Sequence, residues 1–306
     1  MNAATQRAVA SILIIAIGYA FKRFGIFKQN DYKIAAVMSL NITLPAAIIT
    51  SFATFERDSS LYAVVLLGLC CNLLMLGLAW FATRRREPAE RVLPLFCLPG
   101  YVIGVFTLPY VGGILGPYAM IVTCMFDIGN SIMSAGGTYA FVSSLLFKNA
   151  GERMTAVSLI KKLTATVPFD IYMAALLWSL LDMKVPEAVV GFIAPIASAN
   201  YFVSMLMIGM MIDMSRLGRR MKEISAALAL RYAAAALLSY LLYNFAPFSL
   251  EIRQVLAVVV LSPISALASI FTEKCGGDYG TASLAGSISI MLSVVFMTVC
   301  FTLMGI

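Results

Sequence analysis

The sequence contains no histidine. That absence excludes a histidine-ligated metal, a histidine general base and a histidine proton relay. Charge is scarce as well: 12% of the residues are Asp, Glu, Lys or Arg, against 61% hydrophobic. Such a balance lies outside the range of soluble globular domains and fits a chain that crosses a membrane many times. The six cysteines, Cys70, Cys71, Cys97, Cys124, Cys275 and Cys300, form no CxxC pair and fall in or beside apolar runs. There they pack as small apolar side chains. No nucleophile and base with recognisable spacing stand among the Ser, Cys and Asp residues, so an enzyme is not expected, nor is a metal or cofactor.

What the chain has in plenty is long apolar runs. A helix needs about 20 apolar residues to cross a bilayer. Ten runs approach or reach that length: 7–21, 34–53, 61–82, 92–111, 117–147, 163–181, 189–213, 224–245, 254–272 and 279–304. The fold class predicted is an all-α polytopic membrane protein with no separate soluble domain. Arg7 precedes the first run, but Lys22 and Arg23 follow it directly without a small-x-small cleavage pattern, so it reads as a retained span and not as a signal peptide. Lys and Arg alternate between loops. Seventeen lie after the odd-numbered runs and three (Arg57, Lys184, Arg253) after the even-numbered ones. Positive charge stays in the cytoplasm, which puts both termini outside. The net charge of +7 is then a topology signal and gives no reason to expect nucleic acid.

Five spans per half, residues 1–150 and 151–306, would make corresponding spans run in opposite directions, the inverted repeat of secondary transporters. The stretch LPGYVIGVFTLPYVGG, residues 98–113, supports such a repeat. Adding 164 places Pro99 on Pro263, Gly112 and Gly113 on Gly276 and Gly277, and Gly116 on Gly280, with Gly104 on Ala268. In lipid, a broken helix is tolerated only where its freed backbone faces protein or a water-filled cavity. Spans 4 and 9 are therefore expected to be broken and to face the interior. Ser262 followed by Pro263 reads as a helix cap and first turn, the start of a half-helix, and Leu98-Pro99 repeats it without the hydroxyl. Two such starts would aim positive helix ends at one midplane site and hold an anion there without a permanent buried cation. The substrate-site candidates are Pro99, Gly100, Val102, Gly104, Ser262, Pro263 and Ser265. Asn41 of span 2 and Asn200 of span 7 join them as cavity lining or helix-to-helix contacts.

The motifs PGYVIGVFTLPYV, FDIGNSIMSAGGTYA (126–140) and SPISALASIFTEKCGGD (262–278), with the earlier LNITLPAAIITSF (40–52), resemble bacterial members of the auxin efflux carrier family over essentially the whole chain. The resemblance implies ten spans in a five-plus-five inverted repeat, crossing broken helices 4 and 9, and movement of small organic anions. It also implies a possible homodimer, as in the plant relatives. One position departs: where the family usually carries asparagine in the first crossover, this chain has Val102, so a side-chain hydrogen bond to substrate is missing there.

Asp127 lies ten residues into span 5, about 15 Å deep at the helical rise. With Asn130 one turn on, it reads either as an ion- or proton-coupling group or as a hydrogen-bonded structural acid. Its counterpart at the offset of 164 is Met291, so any ion site is asymmetric. Asp170 and Arg231 sit at similar depths in spans 6 and 8 and are expected to form a structural ion pair. The function expected is a secondary transporter of a small carboxylate or similar anion in the bacterial inner membrane. The alternative on the same fold is a substrate sensor or channel-like protein that does not cycle.

Overall fold

A computed structural model of the chain describes residues 3–53, 58–146, 156–164, 166–181, 185–213 and 220–306. Every regular element among the described residues is a helix. In chain order these are α1 (Ala3–Arg23), α2 (Tyr32–Ala53), α3 (Ser60–Thr83), α4 (Pro88–Cys97), α5 (Ile103–Leu115) and α6 (Pro117–Leu146). They are followed by α7 (Ala156–Leu163), α8 (Val167–Leu180), α9 (Glu187–Met211), α10 (Met221–Phe245), α11 (Leu250–Val259), α12 (Leu267–Lys274) and α13 (Tyr279–Leu303). The boundary expected at residues 150 and 151 lies outside the described residues, as do Arg57, Lys148, Arg153, Lys184, Arg216 and Arg219 of the loop-charge pattern.

Among the described residues six helices, α2, α3, α6, α9, α10 and α13, are long and apolar enough to cross a membrane. The described residues thus form an all-helical fold whose helix lengths and composition suit a membrane protein. Leu66 and Leu74 on α3, Phe192 on α9, Leu237 on α10 and Leu303 on α13 are all more than half exposed, a costly arrangement in water and the natural one against lipid tails. Helices α5 and α8 are apolar but shorter.

The long helices pack closely because small residues face backbone. A Cβ on Gly68 of α3 would come 2.2 Å from the Phe126 carbonyl oxygen of α6, and one on Gly129 of α6 would come 2.0 Å from that of Val65. The same reciprocity ties α1 to α9: a Cβ on Gly18 would come 2.3 Å from the Leu206 carbonyl oxygen, and one on Gly209 would come 2.1 Å from that of Ile15. Lipid gives helices no hydrophobic reason to associate, so such backbone approach supplies the van der Waals contact that holds them together. Among the described residues three helices contain a π-type turn, at Ser39–Thr43 in α2, Ile103–Thr107 in α5 and Met133–Gly137 in α6, and the first two touch. Turns of this kind interrupt regular hydrogen bonding and often border functional sites.

Candidate functional site

The fourth and ninth apolar runs are not continuous helices. Helix α4 ends at Cys97 and α5 begins at Ile103; α11 ends at Val259 and α12 begins at Leu267. Pro99 and Pro263 stand just past the first helix of each pair, where a missing N–H and a ring that crowds the preceding turn stop the helix. Gly100 has φ +79°, and a Cβ there would also lie 2.9 Å from Ser265 Cβ. Only glycine turns the chain at this point and lets the second interruption come so near. The two extended segments meet in an antiparallel bridge between Tyr101 and Ile264, and the Val102 N–H donates to the Pro263 carbonyl at 3.1 Å.

The expected half-helix starts at the prolines are corrected by this geometry. Ser262 caps no helix: its N–H donates to the Val259 carbonyl at 3.1 Å, and its hydroxyl donates to the same carbonyl while accepting from Thr107 Oγ1 at 2.7 Å. Both prolines close a helix, and the next one starts four residues later. There Ser265 Oγ accepts the Leu267 N–H at 3.4 Å. The extended pairing across the bridge satisfies backbone that an immediate helix start would otherwise have used.

The expected ion pair is corrected as well. Arg231, in the middle of α10 and 1% exposed, meets no carboxylate among the described residues. Its Nη1 donates to the carbonyls of Cys97 (2.9 Å) and Leu98, and its Nη2 to those of Gly100 (3.0 Å), Ser262 (2.8 Å) and Pro263 (3.1 Å). The guanidinium carbon lies 5.2 Å from the Tyr101 ring centroid. A permanent cation therefore does sit between the interruptions, contrary to expectation. Its charge is offset by these five carbonyl dipoles, two of which, from Cys97 and Leu98, belong to the negative end of α4, worth about half an elementary charge. Asp170 is instead exposed in the first turn of α8, where a carboxylate suits the positive end of its own helix.

A second polar group holds the first interruption from the opposite side. Asn72 Oδ1 accepts the Gly100 N–H at 2.8 Å, and Asn130 Oδ1 accepts the Tyr101 N–H at 3.1 Å. Asn130 Nδ2 donates to the Tyr101 carbonyl (3.0 Å) and to Asp127 Oδ1 (2.8 Å), while Tyr172 donates to Asp127 Oδ2 at 3.1 Å. Asp127 and Asn130 are thus brought together and joined to the interruption. Asn72 and Tyr172 complete the chain of contacts, and neither was singled out by sequence reasoning for a role here. Gly104 packs against this network, since a Cβ on it would lie 3.2 Å from the Tyr172 hydroxyl and 3.8 Å from Asp127 Oδ2.

On the other side of the bridge lies a cavity of about 360 Å³. Val102, Val105 and Phe106 line it from the start of α5, and Ser265, Ala266 and Ser269 from the start of α12. Lys22, Gln29, Asn30 and Asp213 stand along its polar part, and Lys22 Nζ also donates to the Ile212 carbonyl at 3.0 Å. Of the residues expected to bind substrate, Val102 and Ser265 line this cavity. Pro99, Gly100, Ser262 and Pro263 are buried behind it and shape it without facing it. Asn200 accepts from Thr43 Oγ1 at 3.0 Å between α2 and α9, which makes it a helix-to-helix contact. Asn41 is exposed and lines nothing in the cavity. No family model matches the chain, and no curated protein matches it in sequence.

Proposed function

We propose that this chain is a secondary transporter of a small organic anion, a carboxylate above all, of the auxin efflux carrier type. In this reading α1, α2, α3, α4–α5 and α6 form one five-span repeat, and α8, α9, α10, α11–α12 and α13 form the second, inverted one. The equal lengths of α4 and α11, ten residues each, support the repeat, and so do the starts of α5 and α12, 164 residues apart at Ile103 and Leu267.

The observation that carries the reading is the cavity bounded by the first turns of both α5 and α12. Helix N-termini present unpaired N–H groups and a positive dipole end, a ready anion site. The wall behind them is apolar, so an anion with a small organic body fits the lining. The cavity's polar part carries Lys22 and Asn30 from the loop after span 1 and Asp213 from that after span 7, both on the basic, cytoplasmic side. At the opposite end of α5, Arg7 donates to the Gly113 carbonyl at 3.0 Å, and a Cβ on Gly113 would lie 2.3 Å from the Tyr201 ring. These contacts support a reading in which that end is closed and the conformation is inward-facing, in an inner membrane with both termini outside.

Uptake of labelled carboxylates into proteoliposomes, with proton and sodium gradients set independently, tests the reading. Saturable flux of at least one member of the panel is expected. Asp127→Asn should retain substrate binding but lose the response to whichever gradient drives the wild type, because the buried carboxylate carries the coupling charge. Flux absent across the panel from folded, correctly inserted protein rejects the proposal.

A further inference from the structure

Five backbone carbonyl oxygens, from Cys97, Leu98, Gly100, Ser262 and Pro263, converge on one point in the protein interior. Oxygen atoms gathered in this way, at the end of α4 and in the segment that follows α11, away from water, form an environment for a cation. The position is filled by a side chain: four N–H groups of Arg231 serve the five carbonyls, and Nε has no partner. The end of α4, worth about half a negative charge, and the dipoles of the remaining carbonyls offset the guanidinium.

We infer that these carbonyls form a monovalent-cation site built from both interruptions and permanently occupied by the chain's own guanidinium, which makes Arg231 a positioning residue for the cavity. A dissolved ion would come and go with its concentration. A tethered one keeps the two interruptions in register regardless of the salt outside. The site prefers a planar cation, because its oxygens are divided between two separate segments. A compact ammonium with three donors cannot reach all of them, whereas the guanidinium fork spans both. This inference does not depend on the proposed transport function, because it concerns what holds the interruptions and not what enters the cavity.

The test is chemical rescue, read as thermal stability of purified protein in detergent without any substrate. Arg231→Ala should lower the melting temperature, and millimolar guanidinium chloride should restore roughly half of the loss or more by occupying the vacated oxygens. Sodium and potassium chloride at the same ionic strength should restore less, and the wild type should not respond to guanidinium. An equal response of wild type and variant to guanidinium overturns the inference, as does an Arg231→Ala protein as stable as the wild type. Should that variant not accumulate as folded protein, Arg231→Lys and Arg231→Gln are compared by the monodisperse fraction in detergent extracts. A charge-requiring site predicts more folded Lys than Gln variant, and an equal or reversed order rejects it.

Discussion

The two interruptions share prolines and a common guanidinium, yet their neighbours satisfy them with different chemistry. In the first, 98–102, the amides of Gly100 and Tyr101 are taken by the side-chain amides of Asn72 and Asn130, from α3 and α6. In the second, 260–266, the Ile264 N–H donates to Ser289 Oγ at 3.1 Å and the Leu261 carbonyl accepts from Ser293 Oγ at 2.7 Å, both from α13. An asparagine can serve a backbone N–H and a carbonyl together, and Asn130 does so for Tyr101 while also reaching Asp127. A serine hydroxyl serves fewer partners. The first interruption is therefore wired to a buried acid, whereas the side chains that serve the second are the α13 serines, the Thr107 hydroxyl and the shared Arg231 guanidinium. Two interruptions can be alike in their backbone and differ in the chemistry that holds them.

Substitutions that probe each side should show this difference. The largest effect is expected from Asn130→Ala, which strands the Tyr101 N–H and carbonyl and removes a donor from Asp127, costing about 3 kcal/mol or more in thermal or denaturant unfolding. Gly100→Ala comes next: a left-handed φ costs a residue with a Cβ about 1–2 kcal/mol, and the nearby Ser265 adds to it. Ser289→Ala strands one amide, that of Ile264, and should cost about 1–2 kcal/mol. If Ser289→Ala proves as damaging as Asn130→Ala, the two interruptions are held alike and the contrast fails.

The smallest effect belongs to a reference site away from both interruptions. Asp278 caps α13, accepting the Gly280 N–H at 3.0 Å and the Thr281 N–H at 3.2 Å, and Asp278→Ala should cost about 1 kcal/mol. Its carboxyl is held below the usual range, first by the Thr281 hydroxyl and then by the two amides. A lowered value means that the contribution is present above the ordinary carboxylate range and is lost as pH falls through the lowered one. The difference between wild type and Asp278→Ala should accordingly narrow in acid, which a pair of melting curves at neutral and low pH would reveal.

Much of the helical layout was legible in the apolar runs, because lipid imposes one simple rule on length and composition. Every helix boundary that corresponds to the end of a run lies within four residues of it. The interruptions were legible too, since two Pro and Gly clusters in apolar surroundings leave few other readings. The partners of the freed backbone were not. Asn72 lies in the middle of α3, where nothing in the sequence distinguishes a side chain facing Gly100 from one facing lipid. Arg231 was assigned to Asp170 on the rule that a buried charge finds its opposite. That rule overlooks backbone carbonyls, which become available as partners only after the helices break. Ser262 resembled a cap because Ser-Pro is a common helix start, but the bridge between Tyr101 and Ile264 took the following residues into an extended pairing instead.

The claim on which the account turns is that an anion is held between the first turns of α5 and α12. Ala266→Glu tests it most directly. The residue is exposed to the cavity and immediately precedes α12, so a carboxylate there is compatible with the positive end of the helix and should leave stability intact. It also occupies the place of the substrate's charge. Carboxylate uptake into proteoliposomes, measured beside the melting temperature, should fall at least about tenfold, equivalent to about 1.4 kcal/mol of lost binding, with melting unchanged. Uptake at the wild-type rate and affinity from an equally stable Ala266→Glu protein would contradict the account.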